Sequence, residues 1–203
     1  MKFNFSRSYD FPPELLIDGF NEKLNVINET RLLGVIISND LKWGANTDNI
    51  CKNGYKRMWK LRRMLVLDVE PLILLDVYTK EIRSVLELAV PAWHSGLTVK
   101  QSADIERVQR VAVDIILSKV KLGERNFCYD MAMVILGLEP LSVRREKLCL
   151  TFARKTLKSR HRDMFKPTVQ NTRNKPMFYE PNSNKTRCHN SPLNYLTRLL
   201  NLN

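Results

Sequence analysis

Cysteine is sparse in this sequence and irregularly placed. The four thiols, Cys51, Cys128, Cys149 and Cys188, contain no C-x-x-C pair, and the adjacent Cys188-His189 does not make a zinc knuckle. Their spacings match no structural metal site. Cys51, Cys128 and Cys149 are expected instead as small buried hydrophobes. No secretory leader is recognisable ahead of them, so reduced thiols in a nuclear or cytoplasmic, non-secreted setting are the expectation. Long apolar runs are missing too: none approaches the roughly 18 residues of a membrane span, so no membrane partner is expected. Seven glycines and nine prolines in 203 residues exclude collagen-like and low-complexity chains. There is no nucleophile–base arrangement, no Gly-rich phosphate loop and no paired-carboxylate motif. His94, His161 and His189 occupy unrelated contexts. No catalytic residue, metal ligand or cofactor is therefore nominated within this chain.

What the chain does have is positive charge, at +12 with a pI near 9.7, so a polyanionic partner comes first. The charge is concentrated. Residues 47–65 hold six Lys/Arg against one acid, and residues 144–166 hold nine against two; the remainder is neutral. Two basic patches fit that distribution better than a uniformly alkaline surface.

Periodicity makes the chain α+β and mostly α. Short antiparallel strands are expected at LLIDG, LNVIN and RLLGVIIS, with a turn at Asp18-Gly19. In the third run Leu33, Val35 and Ile37 would face one side and Leu32, Gly34 and Ile36 the other. Both faces are apolar, which predicts a strand covered on both sides and further structure upstream to cover it. From Asn46 the period turns helical, with Asn46 or Thr47 as N-cap. Counted at about 100° per residue from Lys52, an apolar stripe (Ile50, Gly54, Met58, Leu61, Leu65) opposes a basic one (Lys52, Lys56, Lys60, Arg63), and Tyr55 and Trp59 border the basic side. A second helix over about 70–89 should bury Leu72, Leu75, Ile82, Val85 and Leu86, and AVPAWHSGL should break it. A third runs over about 99–118 and a fourth over about 127–137, ending at Gly137. The fifth, about 140–160, should bury Leu141, Leu148, Phe152 and Leu157 and expose most of the second basic cluster. An irregular basic C-terminal tail follows, with a short helix at 192–200. The segments are 1–45, 46–120, 121–162 and 163–203.

Lysines and arginines at i, i+4, i+8 and i+11 can follow phosphates along a groove, or they can be a solvated face without a partner. Trp59 can stack on a base or pack against a neighbouring helix. Gly34 in a strand signals a close backbone approach or simply weakens the strand.

The order of segments resembles the reverse transcriptases of LINE-type (jockey-like) non-LTR retrotransposons. The resemblance covers about residues 1–165 and rests on LLGVIISNDLKW, ICKNGYKRMWKLRRM, VYTKEIRSVLELAVPAWHSGLT and DIERVQRVAVDIIL, then more weakly on LGLEPLSVRREKLCLTFARKTLK. It implies a palm-edge β segment whose primer grip holds Leu33, Gly34 and Val35 beside a primer end. It implies a helical thumb with Lys52, Lys56, Lys60 and Arg63 toward the phosphates of an RNA/DNA template–primer and Trp59 beside them. Pro91-Ala92-Trp93-His94 would be a bend with Trp93 in the core. The family's catalytic aspartates and their Mg²⁺ belong upstream, in the palm and fingers of the parent polyprotein. Tyr129-Asp130-Met131-Ala132 lacks the second aspartate of a polymerase metal motif. The chain thus reads as the C-terminal fragment of an RNA-directed DNA polymerase, inactive alone. The other reading is a stand-alone basic α-helical interaction protein that binds an acidic protein partner.

Overall fold

A computed structural model of the chain describes residues 16–17, 20–23, 27–118, 128–168, 176–181 and 186–202. Two small antiparallel hairpins come first and helices make up most of the rest. β1 (Leu16–Ile17) pairs with β2 (Phe20–Lys23), Ile17 opposite Phe20. The second strand is Phe20–Lys23; most of the expected LNVIN strand (24–26) lies outside the described residues, as does the expected turn at Asp18-Gly19.

RLLGVIIS does not run on as one strand. β3 (Glu29–Leu32) turns back into β4 (Val35–Ser38) with Leu32 opposite Val35. The two residues between them have positive φ, 48° at Leu33 and 91° at Gly34. Positive φ at both central positions is the mirror-image turn whose twist matches that of the flanking strands. Glycine adopts it freely; leucine does so at a cost. The expected two-sided burial fails for this reason. Val35 is buried, Ile36 and Ile37 are half-buried, and Leu32 and Leu33 stay exposed.

α1 (Gly44–Val66) begins ahead of both proposed N-caps. Asn46 and Thr47 are buried inside its first turns, because the Asn46 carboxamide serves β4: its Oδ1 accepts the Ile36 N–H at 3.1 Å. That bond seats the hairpin on the helix. The buried side of α1 is Asn46, Ile50, Gly54, Met58 and Leu61. Its end is a Schellman turn at Asp68 (φ 61°), with Val69 N–H to Met64 C=O and Asp68 N–H to Leu65 C=O, both 3.2 Å.

The expected second helix is a composite: α2 (Pro71–Val77), a π-helical stretch (Tyr78–Arg83) and α3 (Ser84–Leu86). Leu74, Tyr78, Ile82 and Leu86, four apart, are all fully buried. On a regular helix such residues drift by about 40° per step; the wider i→i+5 turn keeps them on one side. Leu72 is left outside, 73% exposed, and Leu75 and Val85 are half-buried. Ala89, at φ 52°, turns the chain into α4 (Val90–Trp93) and a 3₁₀ turn (His94–Gly96). Trp93 is buried and donates its indole N–H to Leu88 C=O at 2.8 Å.

α5 (Val99–Leu117), started by a Thr98/Gln101 capping box, packs against α1, α2, α6 (Tyr129–Ile135) and α7 (Leu141–Leu157). Its fully buried Gln109 accepts from Tyr78 Oη and turns its amide group to Tyr129 Oη (3.0 Å) and Glu139 C=O (3.1 Å). Glu106, one turn back, accepts Tyr129 Oη–H at 2.7 Å and the Leu141 N–H at 2.9 Å. The second bond caps α7 with a side chain from another helix. α6 ends in a Schellman turn at Gly137, as expected (Leu138 N–H to Met133 C=O, 2.9 Å).

The buried row of α7 is Leu141, Arg145, Cys149 and Ala153, again four apart. Phe152 lies about 100° off that row and is 44% exposed, not buried as expected, and Leu148 and Leu157 are half-buried. The expected short terminal helix is α9 (Pro192–Leu202), preceded by α8 (Thr186–His189). Leu196 and Leu199 of α9 join Phe165 in the main core, and α9 packs on α7 and α4.

Where α1 crosses α5 and α3, a Cβ on Gly54 would lie 2.9 Å from Val108 Cγ1 and 3.0 Å from Leu86 Cδ2. Val108 is β-branched and stiff about χ1, so it cannot swing aside freely. Gly54→Val is expected to destabilise the fold by about 2–3 kcal/mol through overpacking, read as a lower urea midpoint at unchanged m-value. An unshifted midpoint would refute close packing at this crossing.

Candidate nucleic-acid interface

With the Gly54 side buried, the opposite side of α1 faces solvent. Lys52, Lys56, Arg62 and Arg63 are exposed, and Trp59 is 70% exposed among them. Lys60 differs from the rest of its expected stripe. Its ammonium pairs with the Glu81 carboxylate in the π-helical stretch, and Arg57 Nη1 donates to Glu81 C=O at 2.8 Å. One flank of the stripe is therefore tied to the neighbouring element. The open face centres on Trp59, which lies three residues after Lys56 and four before Arg63 on the same surface. A solvent-exposed pair such as Lys60–Glu81 contributes about 0.2–1 kcal/mol, little enough for a phosphate to compete with it. Asp48 is the only acid between Gly44 and Val66.

The other three nominated residues sit on the hairpin. Leu33 is its tip, 91% exposed. Gly34 passes close to α3's end, where a Cβ would meet Leu88 Cδ2 at 3.0 Å. Val35 is buried in the main core. The Asn46–Ile36 bond fixes this hairpin on α1, but among the described residues no hydrogen bond or ion pair joins the tip to Lys52, Lys56, Trp59 or Arg63.

The second basic cluster divides in three. Arg144 clamps Glu87 with two bonds, Nε at 2.6 Å and Nη2 at 3.1 Å, and Lys147 pairs with Glu139. Arg145, in a cluster expected to be mostly exposed, is fully buried. Arg154, Lys155, Lys158, Arg160, Arg162 and Lys166 remain exposed. Arg145 donates from Nε to His94 Nδ1 (3.3 Å) and from Nη2 to Ser102 Oγ (2.6 Å); its Nη1 has no partner among the described residues. Its burial was missed because a charge run suggests an exposed face. The signal was its place four residues from both Leu141 and Cys149. His94 must be neutral to accept at Nδ1, and burial together with the Arg145 charge pushes its pKa down to about 4.

The thiols are all free. Burial pushes Cys149 up to about 12 and half-buried Cys51 up to about 11. Cys128, expected in the core, is exposed just ahead of α6 with its Sγ 3.8 Å from the Asp130 carboxylate. Among the described residues, no group of His, Cys, Asp and Glu is arranged to hold a metal ion, and no helix is long and apolar enough to cross a membrane. No family model matches the chain, nor does any curated protein or solved structure.

His94 makes folding pH-dependent with a definite sign. Its folded value near 4 lies below the ordinary 6.5, so between these values the unfolded chain binds more protons and stability falls as the pH drops. Allowing for its partial exposure, about 2 kcal/mol should be lost between pH 6.5 and 4 from this group. His94→Asn keeps an acceptor for Arg145 and should show a smaller loss over that window when urea midpoints of both proteins are compared. Equal losses would remove His94 as the cause.

Proposed function

We propose that the chain is the palm-edge and thumb portion of a non-LTR, LINE-type reverse transcriptase, whose α1 grips an RNA/DNA template–primer. The observation that carries this reading is the open face of α1, where Trp59 stands outside the core amid Lys52, Lys56 and Arg63. The cations supply phosphate contacts without sequence preference. The indole adds a stacking surface worth about 1–3 kcal/mol per base. Neither feature serves the fold: the indole is left in water, and the cations have no ion pair among the described residues.

The hairpin tip supports the other half of the reading. An exposed leucine in the left-handed region costs about 1–2 kcal/mol, and such strain is a pointer to function. A primer end resting on Leu33, with Gly34 giving clearance and Val35 anchoring the turn, would use it. Nucleotidyl transfer in this class relies on paired aspartates holding two Mg²⁺ ions. Those groups belong to the upstream palm and fingers of the polyprotein, so this chain's share is binding and positioning.

Fluorescence anisotropy with a labelled RNA–DNA hybrid tests the proposal. Affinity should fall steeply with salt, and Lys52→Glu/Lys56→Glu should weaken binding at least tenfold and flatten the log–log salt slope by about 1.8, two contacts at 0.9 each. Trp59→Ala should weaken binding roughly 5- to 150-fold with the slope unchanged. Salt-insensitive binding, or full affinity in the double variant, would refute the proposal. Capture of an acidic protein that survives nuclease treatment would turn the reading to the interaction-protein alternative.

A further inference from the structure

The exposed cations after Ala153 are not absorbed by the α1 reading. Arg154, Lys155, Lys158, Arg160 and Arg162 fall within nine residues that contain no acid. All five are exposed. Among the described residues their only ion pair is a loose one, Arg162 to Asp163 at 3.9 Å, with both side chains largely in water. One or two cations at a helix C-terminus are favoured by the macrodipole. Five exceed that need, and Arg154–Lys158 and Lys155–Lys158 are like-charge pairs at i,i+4 and i,i+3, which destabilise a helix. The cluster therefore costs the fold something unless a polyanion neutralises it.

Its direction follows from how α5 is shared. Toward α1, α5 presents Val108 and Gln101, which lie 2.9 and 3.8 Å from the Cβ positions of Gly54 and Gly44. Toward α7 it presents Ser102 and Glu106, the partners of Arg145 and of the Leu141 N–H. At 3.6 residues per turn these two sides of α5 are separated by about 130°. On α1 the open basic face lies opposite Gly54, and on α7 Arg154 and Lys158 lie opposite Arg145 by the same count. Both basic faces thus point away from α5, in directions that diverge by that angle. A straight duplex seated on one cannot also lie along the other.

We propose that the Arg154–Arg162 cluster is a second nucleic-acid surface, which holds the phosphate backbone of a separate segment while α1 holds the first. The chain is then a bridge between two nucleic-acid segments. The bridge rests on the α1 reading; the α7 surface by itself does not.

The test uses the full chain and a duplex of about 12 base pairs, about 40 Å long, too short to wrap from one face to the other. Donor- and acceptor-labelled copies are mixed with protein, while stoichiometry is read by titration and the protein's oligomeric state by light scattering. The wild-type chain should bind two duplexes per chain and give energy transfer. Arg154→Glu/Lys158→Glu should bind one and lose the transfer, and Lys52→Glu/Lys56→Glu should do the same. Arg154→Gln/Lys158→Gln, milder for folding, should weaken the second site at least tenfold, with helicity checked by circular dichroism. A wild type that saturates at one duplex which the α7 variants still bind, or two duplexes still bound by the α7 variants, would overturn the proposal. If the α7 variants lose binding while the α1 variant keeps its full capacity, the α7 surface stands and the α1 reading falls.

Discussion

The absence of a side chain at Gly54 sets the rotation of α1, and the rest of the surface follows from it. α5 and α3 both come within contact of that position through Val108 and Leu86. Asn46, Ile50, Met58 and Leu61 are buried along the same side. Fully burying a residue such as Met58 or Leu61 contributes about 1.5–3 kcal/mol. The Lys60–Glu81 pair contributes at most about 1. Packing therefore decides which way α1 faces, and the charges take the positions left over. A one-residue rotation would turn Arg57 or Asn53 outward and carry Lys52 toward the core.

The interior polar groups do a different job: they join elements distant in sequence. Glu106 caps α7 from α5, and Gln109 gathers Tyr78, Tyr129 and the Glu139 carbonyl around one carboxamide. In a low-dielectric interior such a network is costly unless its members are satisfied, which makes it selective for one arrangement. The neighbouring arginines of α7 show how sharply position matters. Arg144, with Glu87 as a bidentate partner, has its pKa held up by that bond, whereas Arg145, one residue on, meets only neutral acceptors and is pushed down by burial. A buried guanidinium without a carboxylate depends on its neighbours staying neutral. Burial, and after it that charge, keeps the proton affinity of His94 low.

Regular amphipathic helices were legible in the sequence. The buried side of α1, the extent of α5, the chain break around Pro91 and the stop at Gly137 all follow from periodicity and cap chemistry. Features that depend on tertiary partners were not. Leu33-Gly34 lacks the Asn-Gly or Asp-Gly chemistry of a two-residue turn, so an apolar run concealed a hairpin. Asn46 looked like a cap because its use by Ile36 cannot be seen locally. The Leu74–Tyr78–Ile82–Leu86 row is a period of four that a 3.6-residue template misassigns to Leu72. Rows of four also explain α7, where averaging over a broad arc put Phe152 inside and did not single out Arg145 within a cluster expected to be mostly exposed. For the candidate interface, the cations were legible as a stripe. The central place of Trp59 and the sideways engagement of Lys60 depend on where the π-helical stretch lies.

Departures from local rules differ in kind across this fold. Asp68 has a positive φ, but it closes α1 in a Schellman turn whose two hydrogen bonds account for it. Leu41 (φ 53°) sits in a turn where Asp40 Oδ1 accepts the Lys42 N–H at 3.0 Å and Leu41 N–H reaches Ser38 C=O at 3.0 Å. Ala89 redirects the chain so that Trp93 enters the core. Each is repaid inside the structure. Leu33 is not repaid: its side chain stands in water, and a glycine there would relieve the turn. Trp59 and the cations from Arg154 to Arg162 are alike in this respect, since the indole stays 70% exposed and the charges repel. A chain shaped by stability alone would shed such features. All three lie on the outside, where a ligand can reach them; the third is positively charged, and Trp59 stands among Lys52, Lys56 and Arg63. The compensation missing inside the fold is the kind that a polyanion with exposed bases would supply.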